Sequence, residues 1–242
     1  MKYFKTLLIS FTIFSCLGQT AQNQLELTET SGFQLGIHFS PDVCYRTLQN
    51  FDGSAMSEVI LQQRNENETL KLGYTFGINT LFNLNKHVAL ETGINYSNKG
   101  YQTNMQVLYY FQYDPAFPQK LKSIYNYHYI DIPMKANFIL GKKKLRFISS
   151  IGLTTNVFIK ETSTSVLVYS DKTERNSSAT NFNYNRFNLS PSIGLGIDYQ
   201  LNDKMNLRIE PSFGYGILKI IDAPITGYLY SGGINMSCFF RM

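Results

Sequence analysis

Tryptophan is absent from the 242 residues, and histidine and cysteine occur three times each. So few cysteines make no disulfide framework, and their spacing fits no metal site. No stretch approaches the ~18 consecutive apolar residues of a membrane-spanning helix. Segments with the 3.6-residue period of an amphipathic helix are scarce. No phosphate-cradling loop and no basic–aromatic stripe for nucleic acid appears. Charge is sparse as well: 22 basic residues face 17 acidic ones, a formal net charge of +5. So mild an excess does not point to a nucleic-acid partner. What the sequence has instead is aromatic residues, 17 Tyr and 18 Phe, set among Asn, Ser and Gly. That mixture favours strands.

The N-terminus has the order of an export signal. Lys2 and Lys5 precede an apolar run from Leu7 to Leu17, and small or polar residues follow. The run is too short to span a bilayer as a helix, so residues 1–21 are expected to form a cleaved signal peptide, cut after Gly18 or Ala21. Ile13–Cys16 loosely resembles a lipoprotein box, but Phe14 is bulky where a small residue is expected. Loss of Lys2 and Lys5 with the leader lowers the formal net charge from +5 to +3. Residues 22–242 are then one β-domain, a length that barrels commonly reach undivided.

Eight stretches alternate with a period of two, and they predict an eight-stranded antiparallel up-and-down transmembrane β-barrel. Phe33, Leu35, Ile37 and Phe39 open the series. Leu72, Tyr74, Phe76 and Ile78 alternate with Lys71, Gly73, Thr75 and Gly77. Val88, Leu90, Ile94 and Tyr96 alternate with Glu91, Gly93 and Asn95. The fourth stretch sets Ile130, Ile132, Met134 and Phe138 against Asp131, Pro133, Lys135 and Asn137. Four more follow through Leu145–Val157, Phe187–Tyr199, Met205–Tyr215 and Tyr228–Met242. Tight turns at Asn85–His87, Gly141–Lys144 and Asn202–Lys204 alternate with long polar links at roughly 41–69, 99–123 and 160–186 and a shorter one at 218–227. In outer-membrane barrels the short turns are periplasmic and the long loops lie outside.

The two faces give the direction. The apolar face of these stretches carries no Asp, Glu, Lys or Arg, as lipid contact demands, because a charge there costs about 2–4 kcal/mol at the midplane. The other face is mostly Gly, Ser, Asn and Thr, where a soluble barrel would carry charge toward water. Small residues suit a narrow lumen in which side chains from all strands converge. The few charges on that face, Lys71, Glu91, Asp131, Lys135, Arg146, Asp198, Arg208 and Glu210, are four acids and four bases. They are expected to form a lumen network, with Asp198 and Arg208 facing each other across a hairpin. Phe33, Phe82, Tyr96, Phe138, Phe187, Tyr199, Tyr215 and Tyr228 are placed to make interfacial girdles. Pro133 lacks a ladder N–H and should mark a break or bulge. Cys44 and Cys238 should lie near opposite ends of neighbouring strands, too far apart to bridge.

Tyr129–Phe138, "YIDIPMKANF", resembles the Tyr-(Leu/Ile)-(Asp/Glu)-Ile-Pro strand of the PorT-like outer-membrane β-barrel proteins of Bacteroidetes. Thr75–Gly100 and the Gly-rich Pro191–Gly216 extend the resemblance more loosely. It implies an outer-membrane location in a Gram-negative bacterium, with outer-membrane lipid and lipopolysaccharide as surroundings. The family's namesake takes part in protein secretion, a role not carried over to this chain.

Catalysis finds little support in the residues. His38 falls on the lumen face, His87 in a short turn and His128 at the mouth of the fourth strand, and no Ser/His/acid set shares a strand or hairpin. The run Gln62–Thr69 reads as a solvated loop, not a metal site. The expected function is a non-catalytic barrel whose surface loops bind a partner or support envelope or secretion assembly, with no cofactor and no metal. The alternatives are a small outer-membrane enzyme acting on lipid or peptide, and a narrow porin-like channel.

Overall fold

The structure, a computed structural model, describes residues 32–242 apart from 113, 115, 142 and 181. The expected signal peptide lies outside the described residues. The strands are β1 (Phe33–Asn50), β2 (Glu68–Thr69), β3 (Lys71–Asn83), β4 (Val88–Thr103), β5 (Gln106–Val107), β6 (Lys120–Leu140), β7 (Leu145–Val168), β8 (Thr173–Ala179), β9 (Phe187–Asn202), β10 (Met205–Tyr215) and β11 (Ile225–Arg241). One helix, α1 (Ala55–Asn67), follows β1.

Eight long strands pair antiparallel in the order β1-β3-β4-β6-β7-β9-β10-β11, and β11 pairs back onto β1, so the ladder closes into a ring. The sheet has eleven strands because β2, β5 and β8 attach to this ring at one end. The regions expected as long loops are therefore partly strand. β1 runs on through Pro41 to Asn50, β4 to Thr103 and β7 to Val168, while β6 begins at Lys120. Backbone groups at that end stay paired because neighbouring strands extend together. The three short turns sit at the opposite end. Asn85 Oδ1 accepts from the backbone N–H groups of His87 and Val88 at 2.8 Å each, and Asn202 Oδ1 accepts from that of Lys204 at 2.9 Å. Gly141 turns with φ at +118°, which only glycine adopts readily.

Pro133 breaks one ladder as expected but makes no bulge. β6 stays in register with β7 on both sides of it, and the register shift falls at His128/Tyr129. On the β4 side the pairs lapse opposite Gly93 and Ile94 and resume unshifted. Pro41 does the same between β1 and β11, and Pro211 between β10 and β9. The φ fixed by the ring suits an extended strand, so each proline removes one donor toward one neighbour without displacing the chain.

Burial is inverted relative to a water-soluble domain. Among the described residues, the buried set holds twenty-five polar or charged side chains and twelve hydrophobic ones. Ile37, Leu72, Ile94, Met134, Ile151, Ile193 and Leu195 are all exposed on the outside of the ring. The aromatic rows are present. Phe33 and Phe82 touch at 5.3 Å near the short turns, while Tyr74, Phe76 and Tyr96 cluster toward the other end. Tyr215 stacks there against Tyr228 and Tyr230. Inside, Leu81, Ala89, Ile139, Ile148 and Phe239 form an apolar floor at the short-turn end.

Cys44 and Cys238 are both free thiols. Cys238 pairs with Ile37, seven residues before Cys44 on β1. At ~3.3 Å per residue that is about 23 Å, beyond any disulfide. Both cysteines should alkylate completely after unfolding without reductant. A Cys44–Cys238 peptide in a non-reducing mass-spectrometric map would contradict the register.

Candidate functional site

β4 turns its odd-numbered residues inward, Glu91 among them, and β10 its even-numbered ones, Arg208 among them. These strands are not neighbours, yet Arg208 Nη1 donates to Glu91 Oε2 across the interior at 2.9 Å. Asn79 and Asn137 complete the Glu91 carboxylate at 2.8 and 3.2 Å. The guanidinium of Arg208 lies over the Phe239 ring at 5.1 Å, so the ion cluster rests directly on the apolar floor. Asp198 and Arg208 are cross-strand partners in the register, as the hairpin requires. Their nearest ionic contact, however, is 3.8 Å, because Asp198 takes its close bond from Arg146, its partner on β7. Glu210 accepts from the Ser150 hydroxyl and sits 3.9 Å from Lys135. A Cβ at Gly194 would collide with that Glu210 carboxylate, which is why the facing position is glycine.

Two of the eight expected network residues have other partners. Lys71 is held by Asn98 and by the carbonyl of Lys99, and pairs with no acid among the described residues. Asp131 pairs with Lys99 at 2.9 Å and accepts from Asn156 at 2.6 Å. Lys99 was absent from the sequence reading, although it shares the odd parity that puts Glu91 inside. Asp42 was missed because it lay in a presumed loop; it accepts from Ser40 and Thr75 at 2.7 and 2.6 Å. His38 is buried with Nδ1 3.0 Å from the Ser237 hydroxyl. His128 is bonded to Tyr96 and Thr162. Above the network lies a polar interior cavity of about 100 Å³, bordered by His38, Asp42, Lys99 and Asp131. It has the size and the polar lining to hold ordered water.

The end of the ring away from the short turns is closed differently. Segment 182–186 folds back and meets segment 217–223 through a Tyr184–Ile221 bridge, with Asn185 N–H donating to the Ile220 carbonyl at 2.9 Å. Through Ile220 and Tyr184 these segments join a cluster of Tyr101, Tyr127, Tyr129 and Leu229, against which Tyr125 and Phe158 also pack. α1 is fastened to this rim by Arg46, which donates to Glu68 at 2.8 Å, to Asn65 at 2.6 Å and to the Arg64 carbonyl at 3.1 Å. The helix starts at Ser54, whose hydroxyl accepts from Ser57 N–H at 3.1 Å. The backbone N–H of Ser54, with the Ser57 and Ser54 hydroxyls, holds the Asp52 carboxyl below its usual range.

Between α1, β4, β6, β7 and the two returning segments lies a cup of about 440 Å³ walled by Tyr101, Tyr125, Tyr127 and Tyr184. Glu161 borders it, 1% exposed, with Oε2 lacking any hydrogen-bond partner among the described residues. Glu161 follows Phe158 on β7, beyond the outer aromatic row. Burial pushes its carboxyl above the usual carboxylate range, opposed by the neighbouring Thr180 and Tyr184 side chains.

A family model described as outer membrane protein beta-barrel domain matches residues 19–222. The chain belongs to this outer-membrane β-barrel family. An outer-membrane barrel accounts for the inverted burial, since lipid takes the place of water around the ring. No curated protein sequence matches the chain. Among solved structures, Neisserial surface protein A is similar at 9% identity, over 88% of this chain and 98% of its own, with a TM-score of 0.48. Ail, the attachment invasion locus protein of Yersinia pestis, is similar at 11% identity, over 88% and 100%, with a TM-score of 0.37. The outer membrane protease OmpT from Escherichia coli is similar at 7% identity, over 91% and 99%, with a TM-score of 0.43.

Proposed function

We propose that the chain is an eight-stranded transmembrane barrel with a filled lumen, which acts without catalysis by presenting its outer end to a partner. The observation that carries this is the interior itself. An apolar floor, a cross-lumen ion cluster and an aromatic cap follow one another along the ring, which argues against an open pore. Eight strands enclose only enough space for side chains to fill. From Phe33 to Tyr45 the lipid face of β1 spans twelve residue steps, about 40 Å along the strand, or roughly 30 Å upright at a tilt of ~40°. That matches an apolar band with its two aromatic girdles.

The short turns then face the periplasm, and α1, the β5–β6 link and the β7–β8 hairpin face outward among lipopolysaccharide. The partner on that side is an envelope or secretion-system protein. The Tyr129–Phe138 strand supports placing the chain with the PorT-like members of the family. His38 is bonded to Ser237 and His128 to Tyr96 and Thr162, and among the described residues no carboxylate is bonded to either ring to orient it, which supports a non-catalytic reading.

Purified protein in planar bilayers should show no steady conductance, and large stable single-channel currents would replace partner binding with transport. In the same study, a tag inserted at Lys143 should stay hidden on intact cells while one at Asn176 is stained. The reverse pattern would overturn the orientation.

A further inference from the structure

The cup at the outer end has a wall chemistry that the filled-barrel reading does not use. Tyrosine rings form part of its wall, beside Leu48, Phe182, Ile220, Ile221 and Ile225: Tyr101 lies 4.9 Å from Tyr125 and 6.1 Å from Tyr127, and Tyr184 meets Tyr127 edge-on at 5.6 Å. Cations already sit on one of these rings. The guanidinium groups of Arg46 and Arg64 are 5.7 and 5.9 Å from the centroid of Tyr101. Glu68 binds both, Arg46 at 2.8 Å and Arg64 at 2.7 Å, so it offsets one of these two charges, and it lines the cup together with Arg64.

Glu161 is different. The buried carboxylates Glu91, Asp131, Asp198 and Glu210 each have a basic side chain within ion-pair distance, and Asp42, which has none, is satisfied by the Ser40 and Thr75 hydroxyls. Glu161 takes part in none of the ion pairs among the described residues. A carboxylate so buried, with one oxygen unsatisfied, is costly unless a donor of positive charge reaches it. Electron-rich ring faces beside it favour the same charge. A neutral ligand would leave the carboxylate uncompensated, and an anion would be repelled.

We propose that this cup binds one small organic cation, an alkylammonium or guanidinium group, with Glu161 as counter-ion and the tyrosine rings as walls. The cation is either a free amine or a lysine or arginine side chain carried by a partner protein. The proposal rests on the filled-barrel reading only for the side of the membrane that the cup faces, and binding to solubilised protein tests it independently of orientation and conductance.

The experiment is calorimetric titration of the full chain in detergent micelles at mildly alkaline pH. The probes are butylammonium, an end-blocked Gly-Lys-Gly peptide, butanol and butyrate. Saturable binding of butylammonium or the peptide is expected, and the tighter of the two identifies the source of the cation. Butanol and butyrate should bind at least about tenfold more weakly, and Glu161→Gln should weaken cation binding by about tenfold. Tyr184→Leu, which removes a wall and leaves the carboxylate, should weaken it severalfold; it serves as the test if Glu161→Gln does not fold by circular dichroism. Glu174→Gln, on the exposed β8, should change nothing. The proposal is overturned if butanol binds as tightly as butylammonium, if both cup variants bind like the parent, or if no cation binds.

Discussion

Replacing Arg208 by glutamine is expected to lower barrel stability by ~3–5 kcal/mol, while replacing Glu91 and Arg208 together by glutamine should cost much less than the sum of the two single changes. Arg208 is 1% exposed, and its guanidinium sits between Glu91 and Asp198 above the Phe239 ring. Without it Glu91 keeps the two amide donors of Asn79 and Asn137 and the more distant charge of Lys135, its cross-strand partner on β6, but no bonded base. The charge would then be stranded in a space without bulk water, which is where an unpaired carboxylate is most expensive. The measurement is a double-mutant cycle by urea unfolding from lipid vesicles. The Asp198–Arg208 cycle should give the smaller coupling, since Asp198 retains Arg146 as its close partner. Additive costs for Glu91 and Arg208 would mean that the cross-lumen bond contributes nothing.

Ile151→Arg should be comparably damaging, for the opposite reason. Ile151 is 58% exposed and lies midway along the outward stretch of β7 from Leu145 to Val157, beside Ala136 and Ile193. In a bilayer an arginine at mid-depth costs about 2–4 kcal/mol, whereas Leu84→Arg, in the short turn after β3, should cost only about 0–1 kcal/mol. The difference between the two sites is the signature of lipid. If the ring were surrounded by water, a surface arginine would change stability by well under ~1 kcal/mol at either site. Equal and small effects in vesicles would therefore remove the membrane-spanning reading.

The alternation of side chains was legible because it is a local property. Successive residues of a strand point to opposite sides, so the absence of charge at Ile130, Ile132, Met134 and Phe138, and its presence at Asp131 and Lys135, gave direction without any contact being known. The hairpin partner of Asp198 could be read the same way, because a tight turn fixes the register of the two strands that it joins. Lys99 carried the same signal as Glu91 and was lost only by ending the strand too early. Strand ends are weakly marked when Gly, Asn and Ser occupy one face throughout.

The remaining features had no local signal. Glu91 meets Arg208, and Lys135 approaches Glu210, because closure brings β4 and β6 opposite β10. Nothing in the spacing of those residues specifies a contact across the ring. Pro133 does break the ladder toward β4, but the continuous ladder toward β7 keeps the strand in register. α1 has no apolar stripe; it is held by Arg46 reaching up from β1. The cup around Glu161 exists only where segments 182–186 and 217–223 fold back over the mouth. The sequence by itself determined which face of each strand meets lipid, since that depends on a period of two along one chain. Only the tertiary structure decided which charges pair and what closes each end, since those depend on distances between strands that no turn connects.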